Sequence, residues 1–287
     1  MKADTHRSDE DRLPEARPGP GAQVAPATLD GWFVLHQLYR IDWPALASVE
    51  EEVARKALGE LSALSESWDS GDGPWSGLYR MVGSSVDLMA LHFRPTLEEL
   101  TDAARDLSMS TFAGVLDLDH DYLSVVELGM YALTLDVASR VDPTDHEAYG
   151  AALREALAEQ GEKAYVKRRL EPRQPEAMPY ACYYPMDKRR GAHRNWYTLP
   201  LETRAELMSR HGSVGRRYAG RVSQVISGSI GLADWEWAVT LWAGNPLVFK
   251  EVVTEMRYDE ASSEYAEFGR FFVGRRMDAS DIERLLP

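Results

Sequence analysis

Residues 183–190 read YYPMDKRR: two phenols, a proline and a methionine run directly into Lys188, Arg189 and Arg190. A phenol can donate a proton or, under strong oxidation, lose an electron and a proton together. Three cations beside it indicate that whatever meets the phenol carries negative charge. In a strand alternate side chains share a face. Cys182, Tyr184 and Met186 therefore point one way, joined by Lys188 if the extension continues past Pro185, and Tyr183 points the other. On pattern alone Tyr184 also fits a core aromatic with its hydroxyl satisfied. Only the company of Met186 and Lys188 separates it from Tyr183.

His211, in AELMSRHGSVGRRY, falls on the helical stripe of Leu207, Met208, Val214 and Tyr218 and so faces inward. A lone inward His is commonly a satisfied core residue. As a metal ligand it would stand alone, because the chain has no HExxH, no CxxC and no second His four residues on. One protein ligand is too few for most metal ions, but it suffices for a haem iron, to which the porphyrin gives four nitrogens. Charge is concentrated in the same region. Residues 161–221 hold 14 Lys and Arg against six acids, while the whole chain of 287 residues carries −14. This is either a solvated basic face or a pocket for a small polyanion. With the single axial candidate, the second reading converges on a porphyrin bearing carboxylates.

Elements able to position these residues are legible in the spacing. The segment 1–28 has no Phe, Trp, Tyr or Ile and four prolines, and reads as a disordered tail. Order is expected from 31, with a strand over 31–43. A helix opened by Pro44 follows, with Leu46, Val49, Val53, Ala57, Leu61 and Leu64 on its buried face. Strands over 77–82 and 86–93 lead to a helix capped by Thr96 and Glu99, with Leu97, Leu100, Ala104 and Leu107 buried. A strand over 121–131 completes β-α-β-β-α-β. The order then repeats: a strand over 180–186, a helix from Pro200 to about Tyr218, and strands over 221–227 and 235–242. A helix over 245–258, with Asn245 as its cap, and a strand over 265–274 close the unit. The expected fold is α+β: two tandem ferredoxin-like units of the dimeric α+β barrel type, with antiparallel sheets and helices on one face. The units span 29–150 and 151–287, and their sheets can pack face to face and leave a cavity at one end.

Composition excludes several roles. A single cysteine, Cys182, rules out an internal disulfide framework and fits a reducing, cytoplasmic compartment. No run approaches a membrane span, and the start of the chain lacks the apolar core of a signal peptide. Net acidity argues against nucleic acid as a partner.

Five ordered motifs make the chain recognisable: RLEPRQP (169–175), YYPMDKRR (183–190), NWYTLPLETRAELMSRHGSVGRRYAG (195–220), QVISGSIGLADWEW (224–237) and EMRYDEASSEYAEFG (255–269). Together they resemble the coproheme decarboxylases of the chlorite-dismutase-like haem family. The resemblance implies a homopentamer whose second unit binds Fe-coproporphyrin III (coproheme), at once substrate and redox cofactor. With hydrogen peroxide as co-substrate, two propionates are oxidatively decarboxylated to vinyl groups, giving haem b. Matched by motif, Tyr184 is similar to the family's redox-active tyrosine and His211 to its axial iron ligand. Gln224 is expected on the distal side. Arg169, Lys188, Arg257 and Ser262 are expected to hold propionates, and Pro185, Met186 and Asp187 complete the substrate-binding stretch. Chlorite dismutases share the fold and axial His but set an Arg over the iron at the Gln224 position. An amide cannot stabilise an oxyanion as a guanidinium does. A non-enzymatic haem carrier or sensor would use the same pocket and leave all four propionates intact after peroxide.

Overall fold

The first strand, β1 (Thr28–Ile41), buries Val34, His36 and Leu38 on one face and Gln37, Tyr39 and Ile41 on the other along its second half. A computed structural model describes residues 24–69, 71 and 73–286 of the chain. The expected tail falls outside these residues up to 23. From 24 the chain is already held, the Ala27 amide donating to Thr134 Oγ1 at 2.9 Å, and β1 begins at Thr28 rather than 31.

Asp42 caps a short α1 (Trp43–Ser48), its carboxylate accepting from the Ala45 amide at 2.9 Å. The chain then breaks at Val49 and Glu50 before α2 (Glu51–Ser67). One expected helix is therefore two, and Val53, assigned to the buried stripe, is 46% exposed. Strands β2 (Trp75–Val82) and β3 (Leu88–Arg94) precede α3 (Leu97–Ser108), where Thr96 Oγ1 accepts from the Glu99 amide at 3.2 Å. Leu97, at the exposed first position of that helix, is not buried. After β4 (Leu116–Gly129) come α4 (Tyr131–Arg140), α5 (His146–Gly161) and α6 (Ala164–Leu170).

The second half runs β5 (Tyr180–Lys188), α7 (Leu201–Arg216), β6 (Val222–Gly228), β7 (Trp237–Ala243) and α8 (Leu247–Met256). A single turn, α9 (Glu260–Ser263), leads to β8 (Ala266–Phe268), β9 (Phe272–Arg276) and α10 (Ala279–Glu283). The strand order β4-β1-β3-β2 of the first half recurs as β6-β7-β5-β9 read in reverse, which is the ferredoxin-like arrangement twice.

The two sheets do not stack face to face. They join edge to edge, β2 to β9 and β4 to β6, so that eight antiparallel strands close into one barrel. Closure satisfies edge amides and carbonyls that stacking would leave open. At the β2–β9 seam the backbones approach so closely that a Cβ on Gly274 would lie 2.7 Å from the Arg80 carbonyl oxygen. An eight-stranded barrel has room inside for side chains and little else. Here Leu38, Trp75, Tyr79, Phe93, Tyr183 and Trp242 fill it. The expected end cavity is thus replaced by a packed core, and any ligand must sit outside the barrel, under the helices.

Two fully buried imidazoles lie within this framework. His36 Nε2 pairs with Thr240 Oγ1 at 2.8 Å and its ring stacks on Tyr183 at 4.1 Å. His92 Nδ1 pairs with Ser76 Oγ at 2.7 Å beneath Trp68. Burial, reinforced by neighbouring His and Arg charges, pushes each down to about 3. Both are neutral in the fold, whereas an unfolded chain protonates them from about pH 6.5 downward. Stability therefore falls as pH drops from about 6.5 towards 3, by about 2 kcal/mol per group at pH 5. Urea midpoints at pH 7.5 and 5 measure this, and His36→Gln and His92→Gln variants are expected to lose less stability between the two than the parent. An unchanged pH difference in both variants would contradict the assignment.

Candidate functional site

Pro185 decides the local architecture. Its carbonyl accepts from the Gly269 amide at 2.9 Å, so its nitrogen, which carries no proton, faces the same neighbouring strand. The ladder on that side cannot continue. The single strand expected over 265–274 is accordingly two, with β8 pairing Met186–Lys188 and β9 pairing Tyr180–Tyr183. The intervening bend packs against the proline (a Cβ on Gly269 would lie 2.7 Å from Pro185 Cγ) and brings Phe271 onto the Tyr184 ring at 4.3 Å, stacked.

On its other side β5 stays in register with β7 from Tyr180 to Met186. Cys182, Tyr184, Met186 and Lys188 share the outer face, while Tyr183 lies in the barrel against His36 and Phe272. Tyr184 is 7% exposed. Burial holds its phenol well above the ordinary tyrosine range; Cys182 adds to this and the Arg257 guanidinium opposes it. Arg257 is exposed at the end of α8 and lies over the Phe268 ring at 4.0 Å, which itself touches Tyr184. Met186 packs into the same apolar cluster.

Lys188 is 9% exposed, a rare degree of burial for an ammonium. Its Nζ sits 4.1 Å over the Trp196 ring and donates to the Ala261 carbonyl at 3.3 Å. Burial lowers it to about 8, against the opposing pull of Asp259 and Glu236. Ser262, buried, follows Ala261, the acceptor of that bond, in α9. The other two cations of the run turn outward. Arg189 approaches Glu267 at 3.6 Å, and Arg190 lies 3.5 Å from Glu236 and 4.0 Å from Asp187.

His211 lies on α7, which packs against α4, α8 and α9. Its Nδ1 pairs with Asp259 Oδ2 at 2.8 Å, and with Nδ1 so engaged the other ring nitrogen, Nε2, is the one left to bind a metal. Asp259 occupies the N-cap position of α9 yet does not cap it; the carboxylate is given to His211 instead. Asp259 thereby links the His211 and Lys188 neighbourhoods, and sequence spacing did not single it out. An acid just before a short helix was the available signal, and it reads as an ordinary cap.

Gln224 is exposed on the outer face of β6, opposite Leu241, which is in turn opposite Cys182. It therefore shares the Tyr184 face, one row further along. Arg169 is not part of this group: it is exposed on α6, which packs on β1 and β4, with β4 adjoining β6.

The arrangement offers one oxidisable phenol with apolar walls, one buried cation and one imidazole with a carboxylate behind it, all outside a packed barrel. Barrel and duplication define the dimeric α+β barrel class. Within that class the model of the family described as chlorite dismutase matches residues 54–277, and the chain belongs to this family. A protein of Thermus thermophilus named coproheme decarboxylase is 42% identical over 263 residues, covering 90% of this chain and 95% of that protein. A solved structure described as a novel heme-binding protein, also from Thermus thermophilus, is 40% identical, with a TM-score of 0.78 over 92% of this chain and 99% of that one. A mutant chlorite dismutase from Candidatus Nitrospira defluvii, at 18% identity, covers 90% of this chain and 97% of its own with a TM-score of 0.65, a likeness of fold alone.

The geometry separates the three cations of the run. Lys188→Ala is expected to weaken binding of Fe-coproporphyrin III by about tenfold or more, since hydrogen bonds to charged groups are worth roughly 1.5–3 kcal/mol. Arg189→Ala and Arg190→Ala are expected to change it little. Because the ammonium is lost above about pH 8, the parent's affinity is expected to fall as pH rises through that value. Absorbance titrations of all three variants check this; equal behaviour of the three would return the run to a solvated surface.

Proposed function

We propose that this chain removes two propionate carboxyls from Fe-coproporphyrin III oxidatively, giving haem b, with hydrogen peroxide as oxidant. The observation that carries the reading is the presence of Tyr184 and the buried Lys188 on one outer face, with His211 backed by Asp259 on the helix beside it. The 42% identical relatives named coproheme decarboxylase support it.

Each propionate, RCH2CH2COO−, becomes RCH=CH2 and CO2 and releases a proton and two electrons. Hydrogen peroxide takes up two electrons and two protons to become two waters, so each vinyl group consumes one peroxide and one proton from solvent. The iron porphyrin supplies, when bound, the oxidising equivalents of that peroxide. Tyr184 gives up its electron and phenolic proton, the proton going to peroxide oxygen on its way to water. The resulting tyrosyl radical takes a hydrogen atom from the propionate β-carbon, and loss of CO2 returns the second electron to the porphyrin. Phe268 and Phe271 keep water from the radical. Lys188 and Ser262 hold carboxylates at this edge, and Arg257 holds one beyond Phe268. A misplacement of about 1 Å can cost on the order of a hundredfold in rate. His211 would hold the iron, with the Asp259 bond fixing its ring. Gln224, exposed on the outer face of β6, would offer peroxide an amide.

In this reading residues 29–150 form the supporting unit and 151–287 the porphyrin-binding unit, and the working form is a homopentamer. A cytoplasmic setting agrees with the lone Cys182, whose thiol burial pushes up to about 12 and keeps inert.

Tyr184→Phe is expected to bind Fe-coproporphyrin III with little change and to form no haem b, as read by mass spectrometry after peroxide. His211→Ala is expected to alter the absorption spectrum of the bound iron porphyrin. Near-normal haem b from Tyr184→Phe would sink the radical step, and an unaltered spectrum from His211→Ala would move the iron's ligand elsewhere.

A further inference from the structure

Regular pairing of β5 with β7 ends at Met186 and Trp237, two residues before Lys188. Beyond that pair the two strands are tied by side chains. Asp187 Oδ1 accepts the Glu236 amide at 2.7 Å, and Glu236 Oε2 accepts the Lys188 amide at 2.8 Å. Each acid thus reaches across to take a backbone proton from the other strand, in place of the carbonyls that a longer ladder would supply. Glu236 is 7% exposed although it is a carboxylate, and the Ser229 amide donates to its carbonyl at 2.8 Å, which fastens the loop behind it. A buried acid is costly to keep charged unless its environment uses the charge. Its ion-pair partner among the described residues is surface Arg190, at 3.5 Å.

We propose that Glu236 is a positioning residue for the reaction, its clasp with Asp187 fixing Lys188 at the carboxylate-bearing edge of the substrate. The inference rests on the proposed decarboxylation. Lys188 cannot reach its place by its own contacts alone, since its Nζ has one long hydrogen bond and an aromatic face. Its backbone is set instead by Glu236 on one side and by pairing with Ala266 on the other. The negative charge of Glu236 also helps keep the ammonium protonated. The charged groups around it are Asp259, which is bonded to His211, and Glu236 itself, flanked by Arg190 and the Tyr197 phenol.

Glu236→Ala and Glu236→Gln separate the two contributions, because the amide keeps an acceptor for the Lys188 N–H and loses the charge. In the ligand-free protein, hydrogen exchange of the peptide containing Lys188 is expected to quicken by about tenfold or more in Glu236→Ala and to stay slow in Glu236→Gln. With Fe-coproporphyrin III and peroxide, Glu236→Ala is expected to accumulate the three-propionate intermediate. Glu236→Gln is expected to move the alkaline limb of porphyrin affinity to lower pH, which a purely structural change would not do. Unchanged exchange in Glu236→Ala overturns the clasp. Quickened exchange with the parent's product distribution and pH limb overturns the positioning role. If the parent itself forms no haem b, the decarboxylation reading fails, while exchange and the affinity limb still decide the clasp.

Discussion

Closure of the barrel is the constraint on which the rest of the molecule depends. Each half of the chain builds a four-stranded sheet with two open edges, and β2–β9 and β4–β6 pairing removes all four at once. The interior then has room only for side chains, and large aromatics take it. A planar ligand is left with one place, the outer face of the second sheet beneath its helices. In the first half the corresponding face is covered by α2 and α10 over a dense apolar cluster that includes Trp68 and Phe112. In the second half the cluster under α8 is bordered by half-exposed Val222 and Ile226 and by exposed Gln224.

One strand then carries both tasks. Adjacent tyrosines serve opposite faces of β5, Tyr183 completing the core and Tyr184 lying on the outer face, so that the Tyr184 phenol is anchored by a strand that is part of the barrel. Pro185 interrupts the neighbouring strand by lacking a single proton, and the bend it forces supplies the aromatic wall around Tyr184. Past the proline the strand delivers Lys188 into a buried position, where two acids far away in sequence, Asp259 and Glu236, oppose the effect of burial on its charge. The fold therefore fixes the Tyr184 phenol and the Lys188 ammonium on one short segment, which leaves little freedom in their separation.

Much of this was legible in the residues. Period-two and period-3.6 spacing located most of the strands and the helices that carry an apolar stripe; alternation set Tyr183 and Tyr184 on opposite faces, and the company of Met186 and Lys188 singled out Tyr184. The helix α5 has no buried residue and hence no stripe to read. The break at Val49 and Glu50 leaves helical spacing intact on both sides, so periodicity runs through it. Barrel closure depends on which edges meet, and no local pattern records that. Asp259 and Glu236 escaped because their partners, His211 and Lys188, lie 48 residues away in each case. Arg169 matched a motif, yet its helix packs on the first sheet, since order along the chain does not specify which sheet a connecting helix covers.

The central claim is that an iron porphyrin is held outside the barrel, between His211 and the Tyr184 face. A crystal structure of the protein with Fe-coproporphyrin III tests it most directly. The account predicts His211 Nε2 on the iron, one propionate against Tyr184 with Lys188 as its cation, and a barrel interior unchanged. An iron ligated by another residue, or a porphyrin whose propionates lie away from Tyr184 and Lys188, would contradict it.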